Sequence, residues 1–208
     1  MEIKRYGEKY GYYILLQNGM KLIFNRMTDE LNAIYEESTK MNYEIRNVRD
    51  GDEIQLAFIQ VESWRAAYGE ILSNKVLQKY LDLEYVTAIY KKLLENQKGN
   101  GLIMNVEEQC HCMAYWDKAR KYSGSDTAEI ICIHSLKNNW RKGLGTKMME
   151  RICNDIAVQG YSQVILWVFE KNTRARLFYE ANGFSATEKK QESFGETEIC
   201  YCKNLKKI

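Results

Sequence analysis

The sequence predicts an α/β fold, a mixed sheet with helices packed on it. Three observations carry that prediction. From residue 128 onward the chain alternates strand, helix, strand, helix. Leu144, Met148, Met149, Ile152, Cys153, Ile156 and Ala157 recur with helical spacing and make one apolar face. The runs at 101–106, 110–115 and 128–134 are short, apolar and bounded by polar residues, as strands are. A chain of 208 residues buries roughly 70% of its unfolded surface on folding, so it needs no disulfide or metal staple.

Taken in order, residues 12–16 and 20–24 are apolar runs on either side of Gln17-Asn18-Gly19. Asn-Gly tolerates the positive φ angles of a tight turn, so the segment reads as a hairpin. Thr28, Asp29 and Glu30 then open a short helix to about residue 38. Residues 1–42 are therefore expected to form an appendage, hairpin plus short helix, to a domain over 43–208. Residues 45–48 restart the chain as a strand. Asp52 stands where it can cap a helix whose predicted buried face is Ile54, Ala57, Phe58, Val61 and Trp64, with Gly69 as its stop. A second helical tract begins near Ser73 and places Val76, Leu77, Tyr80 and Leu81 on one face. After a bend, Val86, Ile89, Tyr90, Leu93 and Leu94 continue it. Glu107-Glu108-Gln109 joins the next two strands as a hairpin, 118–126 is a polar loop, and 128–134 is a third strand. Gly160 closes the long helix that follows. Residues 164–169 are a continuously apolar, buried strand. A helix over 173–181 ends at Asn182-Gly183, and 196–202 is the last strand. Proline is absent, so Gly, Asn, Asp and Ser must make the turns.

A net charge of +2 gives no overall attraction to nucleic acid or to an anionic membrane. No apolar run reaches the roughly 18–20 residues that span a bilayer, and the charged first residues carry no secretion signal. The expectation is a soluble cytoplasmic protein with its six cysteines reduced. Cys110 with Cys112, and Cys200 with Cys202, are two residues apart, which puts each pair on one face of a strand. Zinc sites favour Cys-x-x-Cys, so packing is expected here and no metal.

The stretch from Ser135 to Thr146 carries the chemistry. It lies between a predicted strand and a predicted helix. The first turn of a helix leaves N–H groups unpaired, and the macrodipole places about half a positive charge there. Gly143 and Gly145 let an anion approach those donors, and Arg141 and Lys142 add charge. A P-loop is excluded because Gly-Lys-Ser/Thr is missing, and the third glycine of a dinucleotide fingerprint is missing too. On these residues alone, an ordinary turn stays open beside an anion site.

Trp140-Arg141-Lys142-Gly143-Leu144-Gly145 resembles the first cofactor motif of the GNAT superfamily of N-acetyltransferases, Gln/Arg-x-x-Gly-x-Gly/Ala. Trp140 departs from it at the first position. Asn172, Ala175, Phe178, Tyr179, Gly183 and Phe184 fall on the fixed positions of the second motif, Asn-x-x-Ala-x-x-Phe-Tyr-x-x-x-Gly-Phe. Ser63-Trp64-Arg65-Ala66-Ala67-Tyr68 is similar to the Ser-Trp-Arg-x-x-Tyr of members that act on small molecules or peptides. The resemblance covers about residues 43–203. It implies a mixed, mainly antiparallel, twisted sheet flanked by helices, with a gap between the strands near 128–134 and 164–169.

The implied reaction is direct transfer of acetyl from acetyl-coenzyme A to a primary amine of a small molecule or peptide. Backbone groups of Ile133 and Ser135 would pair with the pantetheine arm. Arg141, Lys142, Gly143, Leu144, Gly145 and Thr146 would hold the pyrophosphate, with Asn172 and Tyr179 also at the cofactor. Tyr179 would be the acid beside the sulfur. Glu129, in Ala128-Glu129-Ile130, would be the base, as in the histone-type members; His134 is the alternative, and His111 is structural. Trp64 and Tyr68 are candidates for the acceptor pocket. An alkyl amine has a pKa near ~10 and must lose a proton before it attacks, while a thiolate near ~8.5 leaves better with a donor beside it. A protein or aminoacyl-tRNA acetyltransferase and a non-catalytic acyl-coenzyme A-binding module are the competing readings; the near-neutral charge disfavours a tRNA acceptor. Residues 1–42 match nothing in the family and could cover a sheet edge, pair two subunits into a homodimer or reach the acceptor.

Overall fold

The structure, a computed structural model, describes residues 2–5, 12–15, 21–24, 42–120 and 126–206. The chain divides into two compact units, Met1–Tyr43 and Glu44–Ile208. In the first, β1 (Glu2–Arg5), β2 (Tyr12–Leu15) and β3 (Lys21–Phe24) form an antiparallel sheet in that order. The β2–β3 pairing is the predicted hairpin, with Leu15 opposite Lys21. Strand β1 was not foreseen, because Glu-Ile-Lys-Arg has no apolar run. The turn at Asn18-Gly19 and the predicted helix over 28–38 lie outside the described residues.

The larger unit carries a seven-stranded sheet. Its strands are β4 (Tyr43–Asn47), β5 (Asn100–Val106), β6 (Gln109–Lys118), β7 (Thr127–Ser135), β8 (Gln163–Phe169), β9 (Ser185–Ser193) and β10 (Glu196–Asn204). The spatial order is β4-β5-β6-β7-β8-β10-β9. Strands β7 and β8 run parallel; the pairs β5–β6, β6–β7, β8–β10 and β9–β10 are antiparallel. The fold is thus the expected mixed, mainly antiparallel sheet flanked by helices α1 (Glu53–Ala67), α2 (Asn74–Tyr80), α3 (Leu83–Glu95), α4 (Leu144–Val158) and α5 (Thr173–Ala181).

Strand β9 escaped sequence reasoning. Ser-Ala-Thr-Glu-Lys-Lys-Gln-Glu-Ser is a polar edge strand that buries little and shows no apolar alternation. Both tight hairpins use two residues at positive φ, Glu107 (50°) with Glu108 (66°) and Phe194 (54°) with Gly195 (81°). That is the backbone a right-twisted hairpin favours, normally supplied by Asn and Gly.

Helix α1 lies in the core with a different face from the predicted one. Leu56, Ala57, Ile59, Val61 and Trp64 are buried, whereas Ile54 and Phe58 are exposed. Apolar residues stand on both sides of this helix, so spacing alone did not fix its orientation. Leu56 and Ile59 pack with Val86, Tyr90, Ile103 and Met113, each such side chain contributing roughly 1.5–3 kcal/mol. Asp52 is the N-cap residue but its side chain does not cap. Its carboxylate accepts instead from Arg46 Nη1 (2.7 Å) and Nη2 (2.8 Å) and from the Arg49 N–H (2.9 Å), tying the helix start to β4. The predicted bend in the second helical tract is a break between α2 and α3, where Asp82 Oδ1 accepts from the Tyr85 N–H at 3.0 Å.

The two Cys-x-Cys pairs differ. Cys200 and Cys202 belong to one cluster with Ile165, as strand alternation requires. In β6 the register jumps between Met104–Cys112 and Asn105–Cys110, so His111 is an extra residue that breaks the alternation. Among the described residues, no group of three or more His, Cys, Asp or Glu could hold a metal ion.

Candidate active site

Strands β7 and β8 pair only from Thr127–Gln163 to Ile130–Leu166. At the next residue β7 bulges. Tyr115 of β6 faces Cys132 and Trp116 faces Ile130, which leaves Ile131 out of register and 42% exposed. Beyond this point Ile133 and Ser135 remain paired to β6, through Ala114 and Cys112, with no described partner in β8. The parallel pair opens like a V, with Ile133 and Ser135 on one arm and Trp167 to Phe169 on the other.

The loop from Leu136 to Gly143 follows the open arm of β7 and leads into α4. A short 3-10 turn (Lys137–Asn139) follows β7, and Arg141 and Gly143 then take positive φ angles of 65° and 79°. Gly143 is the N-cap of α4 and is needed for its left-handed backbone; a side chain there would meet nothing. Gly145 serves a different purpose. A Cβ on it would sit 3.1 Å from the Phe178 ring, so its bareness lets α5 pack on the first turn of α4. Leu144 is buried beneath the turn, while Arg141, Lys142 and Thr146 are exposed around the helix N-terminus. The first-turn donors point out of the helix end, where an anion is favoured.

Trp140 is tied into this loop. Its Nε1–H donates to Ser135 Oγ at 2.9 Å and to the Ser135 carbonyl at 3.1 Å. The Arg174 guanidinium lies over its ring, 3.6 Å from the centroid. Asn172 is buried, and its Oδ1 accepts from the Ala175 N–H at 3.2 Å, capping α5. Two residues after Arg174, Arg176 donates to the Tyr201 hydroxyl at 3.0 Å, and that hydroxyl in turn donates to Glu180 at 2.8 Å. These bonds fix α5 against the sheet.

Tyr179 is buried in α5, its ring against Phe178, Phe184 and Tyr201. Burial pushes its hydroxyl well above the ordinary 10, and the neighbouring Tyr68 hydroxyl and the Cys132 and Cys112 thiols raise it further. Cys132 belongs to the open arm of β7, opposite Tyr115 of β6. Tyr68, the C-cap of α1, is pushed up to about 12 by burial first, then by Cys132 and the Glu198 carboxylate. Its ring meets Phe169 edge-on at 5.5 Å and Trp64 at 5.1 Å. Trp64 also stacks on Tyr80 and touches Phe194, so an aromatic cluster from α1, α2 and the β9–β10 turn borders the open end. Glu198 lies opposite Phe169 across the β8–β10 ladder, hence on the same face, and accepts from Gln191 Nε2 at 2.8 Å.

Glu129 sits elsewhere. It is 3% exposed, in the paired part of β7 below the bulge. Arg120 holds both of its oxygens, Nη2 to Oε1 at 2.5 Å and Nε to Oε2 at 3.2 Å, and the Arg120 N–H adds a third bond at 3.2 Å. Four residues of strand, about 13 Å, separate it from Ile133. His134 is buried on the face of Met113 and is held down to about 4 by burial. His111 is likewise lowered to about 4, by burial first and then by Lys142. Neither imidazole carries a proton at neutral pH. Sequence reasoning missed Arg120, Arg174 and Glu198. Arg174 was visible only as one charge in the second motif, since its partner lies 34 positions earlier. A cavity of ≈ 530 Å³ bordered by Val48, Leu94, Tyr115, Trp116 and Arg151 lies at the paired end of the sheet, away from the glycine turn.

Comparison with known proteins gives a consistent picture. A family model described as "Acetyltransferase (GNAT) family" matches residues 61–184. The chain is 22% identical over 143 residues to YuaI of Bacillus subtilis (strain 168), described as an uncharacterized N-acetyltransferase; the match spans 66% of this chain and 77% of that one. Among solved structures, PaiA N-acetyltransferase from Thermoplasma acidophilum in complex with coenzyme A aligns with a TM-score of 0.67 at 16% identity, covering 79% of this chain and 100% of that one. YncA, a putative acetyltransferase from Salmonella typhimurium with its cofactor acetyl-CoA, aligns with a TM-score of 0.61 at 17% identity over 80% and 96% of the two chains.

Proposed function

The chain belongs to the GNAT acetyltransferase family, and from that premise we propose that it is an N-acetyltransferase moving acetyl from acetyl-coenzyme A to a primary amine of a small molecule or peptide. The observation that carries this reading is the parting of β7 from β8 beyond Ile130, with the glycine turn following the open arm of β7; in this reading the Tyr179 hydroxyl reaches into that gap. The pantetheine arm lies along Ile133 and Ser135 as an added strand, and the pyrophosphate sits on the first-turn donors of α4 beside Arg141, Lys142 and Thr146. Asn172 fixes the start of α5 and so the position of Tyr179. The acceptor enters beside Trp64 and Tyr68.

In the reaction the neutral amine attacks the thioester carbonyl, a C–N bond forms and the C–S bond breaks. One proton leaves nitrogen and one joins the sulfur. Tyr179 hydrogen-bonds the departing sulfur. Its raised hydroxyl makes it a weaker acid than the thiol, so in place of the proton-giving acid that the resemblance implies we assign it as a hydrogen-bond donor that keeps its proton, and water supplies the proton that joins the sulfur. We keep Glu129 as the base; Arg120 fixes its carboxylate, and a chain of waters along β7 must carry the proton over the about 13 Å that separates it from Ile133. All six cysteines are free. No described helix is long and apolar enough to cross a membrane.

Thiol release from acetyl-coenzyme A, measured across a panel of small amines and peptides, tests the reading. Turnover on at least one amine is expected, with Glu129→Gln lowering kcat at least tenfold. Cofactor binding without turnover on any amine would leave only an acyl-coenzyme A-binding module. Full kcat in Glu129→Gln would reduce Glu129 to a partner of Arg120.

A further inference from the structure

Trp140 does not behave as a spare aromatic at a position where the family motif has Gln or Arg. Its indole N–H is bonded twice to Ser135, which fixes the ring plane against the open end of β7. That plane carries the Arg174 guanidinium at 3.6 Å. Arg174 is the second residue of α5, so the stack joins the two elements that flank the top of the V. Stacking uses the face of a guanidinium and leaves its N–H donors, which lie in its plane, free to point outward.

The charge around this stack calls for an anion. Arg174 is exposed except for the face laid on the indole; that partial burial lowers its pKa, Tyr68 raises it and Arg141 lowers it again, so two guanidiniums stand near each other here. Arginine does not relieve that repulsion by losing its proton. Among the described residues, no carboxylate forms an ion pair with Arg174. The positive end of α4 adds to the same field. A diphosphate between Arg141, Arg174 and the α4 N-terminus would turn each of these repulsions into an attraction.

We propose that Arg174, held in place by Trp140, binds the pyrophosphate of acetyl-coenzyme A. The indole supplies the platform and α5 supplies the cation that position 140 lacks. Arg174 is a binding residue and Trp140 a positioning residue. The proposal rests on the acetyl-coenzyme A reading above and adds to it the residue pair that grips the phosphates.

Calorimetric titration of the full chain with acetyl-coenzyme A, its 3′-dephospho form and S-acetylpantetheine tests it. Arg174→Ala is expected to weaken both nucleotide-bearing ligands about 10- to 100-fold and to leave S-acetylpantetheine unchanged. Trp140→Leu is expected to give a smaller loss of the same kind, and no further loss in an Arg174→Ala background. Unchanged affinity for acetyl-coenzyme A in Arg174→Ala overturns the proposal. So does a loss that spares the 3′-dephospho form, or one that extends equally to S-acetylpantetheine. Arg174→Lys, which keeps the charge but not the stacked fork, is expected to recover part of the affinity. A wild-type protein that binds no acetyl-coenzyme A would instead overturn the cosubstrate reading, a result distinct from any variant's.

Discussion

Burial and its neighbours hold the Tyr179 hydroxyl well above the ordinary tyrosine range, so it keeps its proton at neutral pH. In the proposed reaction it serves as a hydrogen-bond donor that keeps its proton. Tyr179→Phe removes that donor and little volume. The expected result is a fall in kcat of roughly 10²-fold, with KM for acetyl-coenzyme A nearly unchanged and no shift in the pH profile. Steady-state kinetics from pH 6 to 9 measure both; an unchanged kcat would remove Tyr179 from the reaction. The tyrosine was legible in the sequence because a motif surrounds it. The partners of Glu129 and Trp140 were not. Arg120 meets Glu129 across a strand pair, and Arg174 meets Trp140 across a whole helix and strand, α4 and β8. No local pattern encodes a contact that only the closed sheet creates.

At the scale of elements, the site depends on how closely α5 approaches α4. Gly145 sets that distance, because a Cβ would press on the Phe178 ring at 3.1 Å. Gly145→Val is expected to cost about 1–3 kcal/mol by overpacking and to lower the thermal midpoint by several degrees, at roughly 2–4 °C per kcal/mol. Gly143→Ala strains only the positive φ of a solvent-facing cap, about 1 kcal/mol. Differential scanning calorimetry of the two variants ranks them; equal midpoints would show that α5 yields to the added side chain. Most elements were visible as periodic segments with turn residues between them, and α4 nearly to the residue. The face of α1 was not, since apolar residues surround it and the sheet beneath selects the buried set. Strand β9 was invisible because an edge strand needs no apolar face, only a neighbour.

For the whole molecule, two buried imidazoles contribute to the response to acid. His111 and His134 titrate near 6.5 when exposed and near 4 in the folded protein. Between those values the unfolded chain binds protons that the folded one refuses. Their contribution to stability is thus complete above pH 6.5 and falls as the pH drops toward 4, by about 1.4 kcal/mol per pH unit for each residue. Urea midpoints are expected to decline from pH 6.5 to 5, and less steeply once both histidines are replaced by asparagine; a flat curve in the wild type would contradict this. The mixed sheet order could be anticipated only through family resemblance. The physical cause of the V became visible in the structure, where β7 bulges at Ile131 and parts from β8. That opening is the centre of the functional account, and titration of acetyl-coenzyme A into the full chain by calorimetry tests it most directly. One site per chain is expected, competed by coenzyme A and weakened by Gly143→Asp. The absence of binding at millimolar acetyl-coenzyme A would contradict it.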